Sequence, residues 1–220
     1  QDPCKVLYMG NSGTTMRLLS GIMVGQGFSV ILNGDSSLNK RPMQRIILPL
    51  QMMGAHLSSD VFGFSPLYIT GNQNLYSIDY VLPLASAQVK SCLMLAALYA
   101  HGRTNIKDVF CTRDHTERML TSFSYPIEKR QFTYSIYGQK RLLGSIVHIP
   151  ADISSAAFFI VAAAITPGSN LLIKNVGLNK GRIGIIHILR SMGGSLNIHN
   201  ISMVGYEIVA DIIVIYVPLK

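Results

Sequence analysis

Apolar residues recur along this chain with two alternating periods, and that alternation predicts an α/β protein. Runs with helical spacing alternate with short runs rich in β-branched and aromatic residues, and a glycine follows most of the helical runs. Pro49 predicts a kink or an early break in the second helix. The predicted helices cover residues 16–24, 43–53, 89–100, 116–123, 156–165 and 183–192. The predicted strands cover residues 28–32, 55–57, 67–70, 170–174, 196–199 and 207–217, and residues 128–131 are predicted to form a polar hairpin.

The order of these elements repeats. Each copy begins with a loop of small or hydroxyl residues that leads into an apolar helix, and a strand, a second helix and two strands follow. An arginine is predicted to open the second helix of each copy. One supersecondary unit therefore recurs about every 70 residues. The loops are Asn11–Thr14, Ala85–Gln88 and Asp152–Ser155, and the arginines are Arg41, Arg113 and Arg182.

The loops indicate anionic ligands, because the start of a helix presents free N–H groups and the positive end of the helix dipole. The composition agrees: 19 Lys and Arg against 11 Asp and Glu give a net charge of +8. The cations are scattered along the chain, which argues against an arm that binds nucleic acid. The apolar runs are too short to span a membrane.

Cysteine usage and loop composition bear on location and domain organisation. Cys4, Cys92 and Cys111 are odd in number and lack a CxxC spacing, which favours a reducing cytoplasm and argues against a disulfide framework or a zinc site. Cys92 lies in an apolar helix and is predicted to be a core residue. The best candidate for a domain boundary is the segment 144–150, just before the third loop.

The loop motifs resemble those of the 5-enolpyruvylshikimate-3-phosphate synthase family, most closely its bacterial members. The matching segments occur in family order and span nearly the whole chain. The resemblance implies repeated βαβαββ units of the two-domain enolpyruvyl transferase fold, an inside-out α/β barrel. The segments are Gly10–Thr14, Lys40–Met43, Ala85–Ser91, Thr112–Glu117 and Asp152–Ala157.

The resemblance also implies an activity and a domain division. It implies transfer of the enolpyruvyl group of phosphoenolpyruvate to the 5-hydroxyl of shikimate 3-phosphate, with release of phosphate and without a metal or organic cofactor. Residues 1–147 are expected to form two units of a first domain and residues 148–220 the first unit of a second domain. The family's catalytic segments have no counterpart here, so we expect an incomplete chain without turnover of its own, cytoplasmic and monomeric at full length.

The binding residues come from the resemblance, position by position. The phosphoenolpyruvate residues are expected to be Gly13, Arg41 and Gln88. The shikimate 3-phosphate residues are expected to be Ser86, Ala87, Gln88 and Arg113. Ser86 could equally serve as a plain helix cap, and only the main-chain N–H of Ala87 can contribute. Asp114 and His115 are interpreted as structural, and Arg182 matches no ligand role in the family.

Two departures from the family pattern concern the backbone. Ala151 stands where the family usually has glycine, and it would strain the backbone near the expected domain boundary if that position needs a positive φ. Ser124 and Tyr125 stand where relatives tend to have a glycine pair. Two alternatives to the transferase remain: a basic RNA-binding module built from the same unit, which the absence of aromatic residues from the motif loops disfavours, and a non-catalytic relative.

Overall fold

The computed structural model describes residues 6–71 and 74–220, so Cys4 lies outside the described residues. These residues form two compact units: the first contains the described residues up to Thr112 together with Ser124–Leu142, and the second contains Arg113–Phe123 and Leu143–Lys220. Residues 140–150, which include the candidate boundary segment, have no regular secondary structure. The predicted domain boundary after residue 147 stays a prediction.

The first repeat has the order βαβαββ. Its strands form one sheet in the order β1-β2-β4-β3, in which β1 and β2 are parallel and the other pairs are antiparallel. Its elements are β1 (Leu7–Tyr8), α1 (Gly13–Met23), β2 (Val30–Asn33), a 3-10 helix (Leu38–Lys40), α2 (Gln44–Met52), β3 (Leu57–Ser58) and β4 (Leu67–Ile69).

The second repeat has the same order of elements and the same sheet. Its strands are arranged β5-β6-β8-β7, again with one parallel pair followed by two antiparallel pairs. Strands β7 and β8 form the predicted polar hairpin. Its elements are β5 (Asp79–Val81), α3 (Ala87–Ala97), β6 (Arg103–Lys107), α4 (His115–Ser122), β7 (Ile127–Arg130) and β8 (Thr133–Tyr137).

The third repeat lies in the second unit and has the strand order β10-β11-β9. A parallel bridge between Ala151 and Val176 takes the place of the leading strand. The repeated βαβαββ unit predicted for the fold is therefore confirmed. Its elements are α5 (Ile153–Ile165), β9 (Asn170–Gly177), α6 (Gly184–Ser191), β10 (Ser195–Val204) and β11 (Glu207–Ile215).

Helix α3 lies at the centre of the first unit, which explains why it is apolar on all sides. It packs against α1, α2, β6 and β8, and a helix that is buried all round needs no polar face. A Cβ on Gly21 of α1 would lie 2.2 Å from the carbonyl oxygen of Cys92, so glycine is what lets α1 and α3 approach this closely. Cys92 is fully buried as predicted, and burial raises the pKa of its thiol to about 12.

Helix α5 is equally apolar but is covered on one side only. Within the second unit it packs against β9 and β11 through residues such as Ile153 and Ile160. Phe158 and Phe159 on its other side are 79% and 65% exposed. No helix in the described part of the chain has both the length and the apolar character needed to cross a bilayer.

Several local predictions were wrong. The three arginines do not open helices: Arg41 is an extended residue after the 3-10 helix, and α2, α4 and α6 begin two or three residues after their arginine. The first helix of each repeat begins earlier than predicted, at its cap. The early break considered at Pro49 does not occur, since α2 continues to Met52, and the alternative of a kink there stays a prediction.

The two departures from the family pattern have different outcomes. Ala151 does not have a positive φ, so alanine at that position causes no strain of this kind. Ser124 has φ 57°, the left-handed region in which glycine is favoured, and it therefore holds a conformation that costs a non-glycine residue about 1–2 kcal/mol.

Candidate anion-binding site at the starts of α1 and α3

The start of α1 has the features of an anion-binding helix N-terminus. Ser12 is its N-cap, with an extended backbone, and the Ser12 hydroxyl oxygen accepts a hydrogen bond from the Thr15 amide at 3.1 Å. The first turn contains no acidic residue, so no side-chain carboxylate neutralises the positive end of the helix dipole. The remaining N–H groups of a first turn have no intrahelical acceptor and can bind a phosphate or carboxylate.

Helix α3 begins in the same way. Ser86 is the N-cap, and its hydroxyl oxygen accepts from the Val89 amide at 3.3 Å. A capping serine uses its oxygen as an acceptor, which leaves its own proton available to donate. Capping and phosphate binding by Ser86 are therefore compatible. Ala87 is the first residue of the helix, so its main-chain N–H is one of those without an intrahelical acceptor, and this turn also lacks an acidic residue.

Arg17 joins the two helix starts. Its Nη1 donates to Oε1 of Gln88 at 2.5 Å, although the two residues are 71 positions apart in the chain. Its Nη2 donates to the carbonyl oxygen of Pro42 at 3.1 Å, and Nε2 of Gln88 donates to the hydroxyl of Thr14 at 2.8 Å. The predicted ligand Gln88 is thereby held against the start of α1.

Gly13 lies where two guanidinium groups converge. A Cβ on Gly13 would lie 3.3 Å from Nη1 of Arg41 and 3.4 Å from Nη1 of Arg17. Gly13 does not have a positive φ, so the site needs glycine for space and not for backbone freedom. Arg41 also donates through Nη2 to the side-chain oxygen of Asn11. The structure thus brings Gly13, Arg41 and Gln88 together.

The cluster carries a surplus of positive charge. Burial lowers the pKa of Arg17, and the neighbouring charges of Arg45 and Arg41 lower it further. A carboxylate near Arg41 is that of Asp35, whose pKa is lowered by hydrogen bonds from the Leu38 amide and from Asn11, which donates at 2.7 Å, and further by the charge of Arg41. Three guanidinium groups near one carboxylate favour an anionic ligand.

Arg113 lies in the second unit and is exposed, directly before Asp114, the N-cap of α4. Asp114 accepts from the side-chain amide of Asn179 at 2.8 Å and pairs with Arg118 at 3.0 Å. These contacts agree with a structural role for Asp114. The exposed guanidinium of Arg113 is available to a ligand, and its role stays a prediction.

The third repeat neutralises its own arginine. Its cap is Asp152, which accepts from the amides of Ser154 and Ser155 at 3.2 Å and 3.3 Å. Arg182 lies 2.9 Å from the Asp152 carboxylate and also donates to the Ser154 hydroxyl. Arg41 instead bonds directly to the neutral amide of Asn11, and Asp35 acts on it only as a neighbouring charge, so Arg41 is less directly neutralised than Arg182. This difference is consistent with the expectation that Arg182 binds no ligand.

Sequence reasoning missed the contribution of Arg17. It lies in α1, just after the first loop and one helical turn after Gly13, and residues four apart share a face of a helix. That spacing is the signal that could have placed Arg17 beside Gly13. Its bond to Gln88 depends on the packing of α1 against α3, which no local spacing reveals.

Comparison with known proteins identifies the family of the chain. The sequence model of the family described as EPSP synthase (3-phosphoshikimate 1-carboxyvinyltransferase) matches residues 1–218. The 3-phosphoshikimate 1-carboxyvinyltransferase of Nitrosococcus oceani is 54% identical over 210 residues, which are 96% of this chain and 47% of that protein. The enzyme of the same name from Methylococcus capsulatus is 49% identical over 220 residues, 100% of this chain and 50% of that protein.

A solved structure has the same fold. The EPSP synthase of Acinetobacter baumannii superposes with a TM-score of 0.87 at 48% identity, over 98% of this chain and 48% of that one. The chain spans about half the length of the curated relatives it matches. On the family match and these identities together, the chain belongs to the EPSP synthase family.

Proposed function

We propose that this chain supplies the substrate-binding residues for transfer of an enolpyruvyl group from phosphoenolpyruvate to the 5-hydroxyl of shikimate 3-phosphate, with release of phosphate. The observation that carries the proposal is the bond from Arg17 to Gln88, because it makes one cationic site out of two serine-capped helix starts whose first turns contain no acidic residue. Both substrates are strongly anionic and match this charge. The names of the relatives support the same reaction.

The residues divide between the two substrates. Phosphoenolpyruvate contacts Gly13, Arg41 and Gln88, where a guanidinium can grip a phosphate or carboxylate at two points. Shikimate 3-phosphate contacts Gln88 and further groups at the second loop and beyond it. Their contribution is binding and electrostatic stabilisation of charge that moves during transfer. The further groups are the Ser86 hydroxyl, the Ala87 N–H and the Arg113 guanidinium.

The proposal includes the domain division at residues 147 and 148. The exposed Phe158 and Phe159 on α5 support it, since the corresponding helices α1 and α3 of the other repeats pack against each other. We also propose a cytoplasmic monomer at full length. The free thiols of Cys92 and Cys111 are consistent with a reducing compartment.

A chimera tests the activity. This chain replaces the matching segment of the Nitrosococcus oceani relative, and phosphate release is measured with both substrates and with each alone. We expect release only when both are present, and a loss of about tenfold or more on Arg41→Ala. Arg130→Ala is the matched control, because Arg130 is exposed on β7. A folded chimera without transfer, or with equal losses in both variants, would refute the proposal.

A further inference from the structure

Lys90 is a buried charge that the proposed site does not use. It lies in the first turn of α3, where its amide donates to the carbonyl of the cap residue Ser86 at 3.2 Å. The whole residue is inaccessible to solvent, with 0% exposure. A buried ammonium group is costly unless it is paired and hydrogen-bonded, so its partners show what the charge is for.

Those partners lie at the end of β6 and in the loop that follows it. The Lys90 Nζ donates to Oδ2 of Asp108 at 3.0 Å and to the carbonyl oxygen of Thr112 at 3.2 Å. It also lies 4.8 Å from the centre of the Tyr134 ring. One side chain therefore connects the start of α3 with both ends of the loop from Asp108 to Thr112.

Asp108 organises that loop. Its Oδ2 accepts from the Thr112 amide at 2.9 Å and from the Thr112 hydroxyl at 2.7 Å, while its Oδ1 accepts from the Phe110 amide at 3.2 Å. Cys111 within the loop has φ 51°, which a non-glycine residue adopts at a cost. The loop thus holds an unfavourable conformation through bonds to a single carboxylate.

The charge state of the pair fits this role. Burial alone would raise the pKa of the Asp108 carboxyl, but hydrogen bonds from Thr112 and Lys90, together with the Lys90 charge, hold it below its ordinary value. A buried ion pair is weak evidence for a purely stabilising role, because well-packed apolar residues of similar volume are often as stabilising or more so.

We propose that Lys90 and Asp108 are positioning residues that fix the backbone at Thr112 against the first turn of α3, and so fix the point from which Arg113 extends. The inference rests on the proposed function, since it gives a reason for holding Arg113 in place. Phosphoenolpyruvate contacts Gly13 and Arg41 on other elements and shares Gln88 of α3 with shikimate 3-phosphate, whereas Arg113 serves shikimate 3-phosphate alone. Loss of the pair therefore affects shikimate 3-phosphate more than phosphoenolpyruvate.

The test uses the chimera with the double variant Lys90→Met and Asp108→Leu, which removes both charges and leaves no unpaired one. We expect the KM for shikimate 3-phosphate to rise about tenfold and that for phosphoenolpyruvate to change less than about threefold. Cys92→Ala is the matched control for disturbed packing of α3, because Cys92 is also fully buried. Equal changes in the two KM values, or the same pattern in the control, would overturn the inference.

A second readout does not depend on activity. Amide hydrogen exchange is measured in the 220-residue chain itself, with and without Lys90→Met. We expect exchange at the amides of Phe110 and Thr112 to accelerate about tenfold or more, while the interior of β6 is unchanged. Unchanged exchange at these amides would overturn the positioning role. Absence of transfer in the unmodified chimera would instead count against the proposed function alone.

Discussion

Replacing Gly13 with alanine should change the affinity for phosphoenolpyruvate without destabilising the fold. The new Cβ would lie 3.3 Å from Nη1 of Arg41 and 3.4 Å from Nη1 of Arg17, and the 3.3 Å contact is tighter than ordinary van der Waals contact. Both neighbours are ends of flexible side chains, so they shift by a few tenths of an ångström while the backbone stays. A charge-assisted hydrogen bond contributes about 1.5–3 kcal/mol.

A shift of a few tenths of an ångström in these guanidinium groups weakens a charge-assisted hydrogen bond to phosphoenolpyruvate without removing it. We expect a loss of about 1.4 kcal/mol in binding phosphoenolpyruvate, a tenfold rise in its KM, and a change below about threefold for shikimate 3-phosphate. Stability moves the other way, because alanine is a better helix former than glycine by up to about 1 kcal/mol. Both KM values and the thermal unfolding midpoint of the chimera are measured together.

Gly184→Ala is the matched control. Gly184 is also the first residue of a helix, and a Cβ there would have no neighbour within 4 Å. The control should leave both KM values unchanged. Two results would contradict the expectation that alanine at position 13 only crowds the two guanidinium groups. One is an unchanged KM for phosphoenolpyruvate in Gly13→Ala. The other is a lower unfolding midpoint of the variant together with the loss of affinity.

Three further changes test other parts of the account. Arg41→Ala should weaken phosphoenolpyruvate by about 2–3 kcal/mol, tens- to a hundredfold, and more than shikimate 3-phosphate; equal losses in titration calorimetry would make Arg41 structural. Arg17→Gln should raise both KM values about tenfold, because Gln88 serves both substrates; an effect on one substrate only would contradict that sharing. Asp108 and Asp152 have lowered pKa values, so their contribution to stability is complete above the ordinary aspartate pKa of about 3.9 and is lost as the pH falls towards their folded values. A urea midpoint that stays constant from pH 5 to pH 2.5 would contradict it.

Local patterns predicted the repeat because each copy carries its own signals. Hydroxyl residues at the helix starts, apolar helices and glycine stops mark the order of elements without any long-range information. Strands β1 and β5, of two and three residues, were not predicted. The early break considered at Pro49 does not occur, because buried residues on both sides of it, such as Ile47 and Leu50, anchor α2 in the core.

The candidate site was also predicted only in part from the sequence. The motif residues Gly13, Arg41 and Gln88 could be proposed from the sequence, whereas their convergence could not. It depends on Arg17 reaching Gln88 across the contact between α1 and α3, which exists because Gly21 admits the backbone of Cys92. The contrast between Arg41 and Arg182 was also hidden, since it depends on whether an amide or a carboxylate faces the guanidinium.

The most direct test of the central claim is to observe the guanidinium groups while the substrates bind. The Nε–Hε signals of arginine are recorded by NMR in the 220-residue chain during titration with shikimate 3-phosphate and then phosphoenolpyruvate. We predict that the signals of Arg17 and Arg41 shift and saturate, while those of Arg130 and Arg190 stay in place. Unmoved Arg17 and Arg41 signals at substrate concentrations that saturate the chimera, or equal shifts of all four, would contradict an anion site at the starts of α1 and α3.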